Sequence, residues 1–116
     1  MLGRMQDWPL TVDRILEHAK TWHGDREIVS RSVEGPIVRT TYAEAYVRAK
    51  RCSSALKALG VQPGDRVATL AWNTARHLEA WYGIMGIGAV CHTLNPRLFS
   101  EQLVYIINHA EDRVIF

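Results

Sequence analysis

Apolar positions recur along this chain with two different periods, and the places where the period switches predict its elements. Val12, Ile15, Leu16 and Ala19 share one helical face, with Thr11 placed to cap that helix. Residues 27–32 and 38–41 read as strands joined through Glu34-Gly35-Pro36, a hairpin pattern. Thr41 and Glu44 then form a T-x-x-E capping box. Behind it, Tyr42, Ala45, Ala49, Cys52, Leu56 and Leu59 make a continuous apolar stripe that Gly60 is placed to end.

After the turn Gln62-Pro63-Gly64-Asp65 the elements alternate. Residues 66–71 predict a strand, and 75–86 a helix with Leu78, Trp81, Tyr82 and Met85 on its inner face. Residues 89–93 predict a second strand. Ser100 is placed to cap a helix carrying Leu103, Ile106, Ile107 and Ala110, and a third strand begins at 113–116. Strand, helix, strand, helix, strand with short connections implies parallel strands and right-handed crossovers. The expected fold is therefore α/β: a helix–hairpin–helix part over residues 1–60, then a parallel βαβαβ unit over residues 66–116. The apolar run at Phe116 has no cap, turn or polar tail after it, so the chain is expected to be a truncated piece of a longer protein.

Composition narrows the partners. Apolar residues make up 47% and charged residues 22% of the 116, a globular balance. A formal charge of +2 gives no electrostatic case for nucleic acid or an anionic membrane. Cys52 and Cys91 lie outside any C-x-x-C spacing and read as buried free thiols in a reducing compartment. The first ten residues lack a signal-peptide core, and Leu2 after Met1 breaks the myristoylation pattern. Residues 81–91 carry three glycines and are too short to cross a bilayer, so a cytoplasmic protein with no transmembrane segment is expected.

Several motifs invite chemistry. Gly83, Gly86 and Gly88 run in the order G-x-x-G-x-G from a helix into a strand, the reverse of a dinucleotide loop, and read as close helix–sheet packing and a helix stop. The five histidines match no metal spacing; His77 and His92 are placed to face a cleft, and structural hydrogen-bonding roles are the simpler reading. No G-x-S-x-G elbow or Walker loop occurs. Arg48, Lys50, Arg51 and Lys57 read as solvated charges beside the apolar stripe of their helix. Arg97, in Asn95-Pro96-Arg97-Leu98, follows the second parallel strand at its carboxyl end, where open α/β sheets place ligands. Its guanidinium suits a phosphate, and the alternative is a pairing with Glu101 or a neighbouring domain.

Five segments together carry a family resemblance: Arg39-Thr40-Thr41-Tyr42-Ala43-Glu44, Gly64-Asp65-Arg66-Val67-Ala68-Thr69-Leu70, Arg76-His77-Leu78-Glu79-Ala80-Trp81-Tyr82, Gly88 through Leu98, and Asn108-His109-Ala110-Glu111-Asp112. In order and over nearly the whole chain, they resemble the N-terminal part of the AMP-binding domain of bacterial medium- and long-chain fatty-acyl-CoA synthetases, the adenylate-forming ligases. The branch includes methylthio-acid CoA ligases. The resemblance implies a ligase using ATP, Mg²⁺ and CoA: a fatty acid carboxylate attacks the ATP α-phosphate to give acyl-AMP and pyrophosphate, and the CoA thiol then displaces AMP. It also implies a homodimer to which residues 1–22 contribute.

The family's phosphate loop, its aromatic-Thr-Glu segment, its ribose-binding aspartate and its C-terminal domain with the adenylation lysine have no counterpart in these residues. No catalytic residue and no metal ligand is therefore carried over, and the chain alone is expected to be inactive. Only Arg97 matches a family position, one expected near a CoA phosphate. The alternative expectation is a non-catalytic α/β binding or interaction module of the same ancestry.

Overall fold

The structure is a computed structural model that describes residues 3, 5 and 7–116. Helix α1 (Asp13–His23) leads into a hairpin of β1 (Glu27–Arg31) and β2 (Ile37–Thr41), followed by α2 (Tyr42–Ala58). Then β3 (Arg66–Leu70), α3 (Ala75–Met85), β4 (Val90–Leu94), α4 (Ser100–Ala110) and β5 (Val114–Ile115) alternate. The hairpin is antiparallel, with Val29 opposite Arg39. The other three strands form one parallel sheet in the order β4-β3-β5, and Val67 is in register with both Cys91 and Val114. The expected α/β fold is thus present.

Strand β3 lies in the middle of its sheet, which is why Val67, Ala68 and Thr69 are all buried. Leu56 from α2, Val67, Ile84 from α3, Val61 and Ala89 form the core cluster. The capping box of α2 forms as the sequence predicts: Glu44 N donates to Thr41 Oγ1 at 3.2 Å, and Thr41 N to Glu44 Oε2 at 3.0 Å. Gly60 closes the helix with φ +83°, a conformation that glycine adopts without a Cβ clash.

Packing changes which faces are buried. On α2 the buried set is Ala45, Ala49, Ser53 and Leu56, whereas Leu59 is exposed and Cys52 half-buried. On α3 the buried residues are Glu79, Gly83 and Ile84, and Trp81 of the expected inner face remains about a third exposed (36%). The cause is a close crossing of α2 and α3. A Cβ on Gly83 would lie 2.7 Å from Cys52 Cβ and 3.0 Å from the Ala49 carbonyl, so Gly83 serves helix–helix rather than helix–sheet packing.

Two expected caps shift by one residue. Val12 rather than Thr11 occupies the N-cap of α1, without a side-chain bond, and only Leu16 of that helix is buried. Ser100 is the first residue of α4, and Phe99 precedes it as N-cap; Phe99 N donates to Gln102 Oε1 at 3.2 Å, and Gln102 N, which a serine cap would have served, donates to the Phe99 carbonyl at 3.0 Å.

Candidate functional site

Parallel strands end together, so the loops leaving β3 and β4 gather at one edge of the sheet. A groove of about 830 Å³ opens there. It is walled by Ala71, Trp72 and Asn73 after β3, by Thr93 to Arg97 around the end of β4, by His77, and by Arg31 to Val33 of the hairpin. A neighbouring hollow of about 500 Å³ shares His77, Asn73 and Thr93 and adds the apolar Ile28, Leu78 and Trp81.

The loop that carries Arg97 is held by its own sequence. Arg97 N donates to Asn95 Oδ1 at 2.9 Å, an Asx turn of the type Asn forms before proline. The exposed guanidinium lies over Trp72, with Cζ 5.5 Å from the ring centroid. Arg97 makes no ion pair among the described residues, so the alternative pairing with Glu101 does not form. A cation on an aromatic platform, at the carboxyl edge of a parallel sheet, is suited to a phosphate. Trp72 was not singled out by sequence reasoning; its place two residues past a strand end is the signal that could have found it.

The histidines separate. His77 lines both hollows, and its Nε2 lies 2.9 Å from the buried Thr69 Oγ1. His92 does not face the groove: its Nδ1 lies 2.8 Å from the Asp112 carboxylate, whose side chain is wholly buried, and so ties β4 to the turn before β5. Arg48 also departs from the expected solvated face. Its Nε donates to Glu79 Oε1 at 2.6 Å, and Arg76 holds the other carboxylate oxygen at 3.2 Å. Lys50 stands 5.4 Å from the Tyr46 ring centroid.

Neither thiol is poised as a nucleophile. Both cysteines are half-buried rather than buried. Burial pushes the Cys91 thiol up to about 11, against a smaller lowering by the Thr69 hydroxyl. Cys52 is raised by burial and then by the Glu79 charge. Among the described residues no group of three or more His, Cys, Asp or Glu side chains could hold a metal ion. Nor is any helix long and apolar enough to cross a membrane.

Comparison with known proteins gives the family. The chain matches the AMP-binding enzyme family over residues 16–116. It is 55% identical over its full length to 3-methylmercaptopropionyl-CoA ligase of Ruegeria lacuscaerulensis, of which it covers 22%. It is 50% identical over 99% of its length to medium-chain-fatty-acid–CoA ligase of Ectopseudomonas oleovorans, covering 21% of that protein. With long-chain-fatty-acid–CoA ligase of Thermus thermophilus it shares 52% over 96% of its length, covering 20%. Among solved structures, Mycobacterium tuberculosis fatty acyl CoA synthetase superposes with a TM-score of 0.78 at 30% identity, over 90% of this chain and 20% of that one. A benzoate CoA ligase from Burkholderia xenovorans gives 0.79 at 26%, over 92% and 21%. The chain therefore spans about a fifth of the length of these relatives, and it belongs to the AMP-binding enzyme family.

Proposed function

We propose that this chain is the N-terminal segment of the AMP-binding domain of an ATP-dependent fatty acid–CoA ligase. The observation that carries the reading is identity of 50% or more, over almost the whole chain, to relatives whose names all specify acyl-CoA ligation. In that reaction a fatty acid carboxylate attacks the α-phosphate of ATP, releasing pyrophosphate, and the CoA thiol displaces AMP from the acyl-adenylate.

The part this segment plays is positional. Residues 1–60 form the helix–hairpin–helix part and residues 66–116 the βαβαβ part of the domain. Arg97, braced by Trp72 and without an ion-pair partner among the described residues, meets a phosphate of the CoA nucleotide. ATP phosphates and Mg²⁺ are held by residues outside this chain, including a C-terminal domain. The chain alone is inactive.

The full-length protein works in the cytoplasm in fatty acid metabolism, as a homodimer that uses residues 1–22. Exposed Val12, Ile15 and Trp22 around α1 support that interface; Met1, Leu2, Arg4 and Gln6 lie outside the described residues. The test is ATP-dependent acyl-CoA formation from medium- and long-chain fatty acids, by this chain and by the whole reading frame that contains it. Turnover in the longer protein only is expected. Turnover in neither overturns the ligase reading in favour of a non-catalytic binding module, and turnover by this chain overturns the assignment of the missing site.

A further inference from the structure

A second groove, of about 720 Å³, lies between the hairpin, the first half of α2 and the start of α3. Its walls bring four guanidinium groups, those of Arg39, Arg48, Arg51 and Arg76, against two carboxylates, Glu44 and Glu79. Four cations against two carboxylates leave an excess of positive charge along the walls. Glu44 is taken by the Thr40 hydroxyl at 2.8 Å and by Thr41 N. The buried Glu79 spends one oxygen on Arg48 and the other on Arg76.

The pairing on Glu79 is informative. A buried carboxylate costs desolvation, and here one acid binds two cations, so it orients both while cancelling only one of their two charges. Arg48 engages Glu79 through Nε alone, which leaves both of its terminal nitrogens without a partner among the described residues. Arg76 uses a single terminal nitrogen and is mostly exposed. Arg51, one turn along α2 from Arg48, has no hydrogen bond or ion pair among the described residues. Arg39 is paired with Glu27 at 2.6 Å on the hairpin and is left out of the donor set. Two guanidinium groups positioned by Glu79 with terminal nitrogens to spare, and a third, unpaired among the described residues, beside them, are the donor set that a multiply charged oxyanion needs.

We infer that this groove binds the phosphate or pyrophosphate group of a small phosphorylated molecule, with Arg48, Arg51 and Arg76 as its donors and Glu79 as the residue that positions two of them. The site is separate from the groove of Arg97, so it stands whether or not the ligase reading holds.

The test is titration of this chain with inorganic pyrophosphate, followed through the arginine Nε–H resonances, against sodium chloride at matched ionic strength. A saturable shift of the Arg48 and Arg76 resonances with pyrophosphate alone is expected. Arg51→Gln, which removes no hydrogen bond or ion pair among the described residues, weakens the binding roughly tenfold, Arg48→Lys does the same by losing the fork, and Arg97→Gln leaves it unchanged. A shift that does not saturate, that chloride reproduces, or that survives both Arg48→Lys and Arg51→Gln overturns the inference. So does loss of binding in Arg97→Gln, which would place the anion in the other groove.

Discussion

Ser53 Oγ donates a hydrogen bond to the Gly83 carbonyl at 2.7 Å, where α2 crosses α3. Gly83 lies near the end of α3, where carbonyls run out of partners within the helix, and a serine from the neighbouring helix supplies the missing donor. The same contact requires the backbones to be close, and the absent Cβ of Gly83 permits that. One polar and one small residue thus set the distance between the two helices that cover the sheet.

Gly83→Ala is expected to destabilise the fold by about 1–3 kcal/mol, because its Cβ would fall 2.7 Å from Cys52 Cβ on a rigid helix. Ser53→Ala, which leaves the buried carbonyl unpaired, is expected to cost about 1–2 kcal/mol. Urea unfolding monitored by circular dichroism measures both. A change below about 0.5 kcal/mol for Gly83→Ala would show that the crossing relaxes freely.

Glu44 makes part of the stability pH-dependent. Hydrogen bonds from the Thr40 hydroxyl first, and then from Thr41 N, hold its carboxyl below the usual carboxylate range, outweighing a small opposing effect of desolvation. A depressed acid contributes stability that is present above its unfolded value and lost as pH falls through the lower folded value. The stability gap between the native chain and Glu44→Ala is therefore expected to be constant near neutrality and to narrow in the acid range. Melting curves across that range check it, and a gap that widens toward acid pH would reverse the assignment.

In the proposed ligase, Arg97→Gln is expected to raise the KM for CoA roughly tenfold while leaving the KM for ATP unchanged. Trp72→Ala, which removes only the platform 5.5 Å from the guanidinium, gives a smaller rise of about two- to fivefold. Steady-state kinetics with each substrate varied separately would distinguish this from a general loss of folding, which lowers kcat without selecting a substrate.

Helix α4 buries none of its residues, and Phe99, Val104 and Tyr105 stand exposed around it. Self-association of the chain is the expected consequence. Sedimentation velocity should show an average mass that rises with concentration and falls in the double variant Val104→Lys, Tyr105→Lys. A sharp monomer boundary at all concentrations would contradict it.

The sequence by itself determined the elements and their order, because those depend on local periods and local chemistry. Thr41 and Glu44 cap α2 through bonds spanning three residues, Gly60 turns the chain where a Cβ would be strained, and the alternation after Pro63 builds a parallel sheet. The position of Arg97 at a strand end was legible for the same reason. Which side of a helix faces inward was decided only by tertiary structure. Val12, Ile15, Leu59 and Trp81 satisfy an apolar period yet stay exposed, while Ser53 and Glu79 break it and are buried. Those two are buried because their partners, the Gly83 carbonyl and the guanidinium groups of Arg48 and Arg76, meet them there. Two of these three contacts cross between α2 and α3, and a pattern read along one helix carries no record of what the next helix will donate. Trp72 beneath Arg97 and His92 on Asp112 are hidden for the same reason: each pair is separated by about twenty residues or more and is joined only when the strands lie side by side.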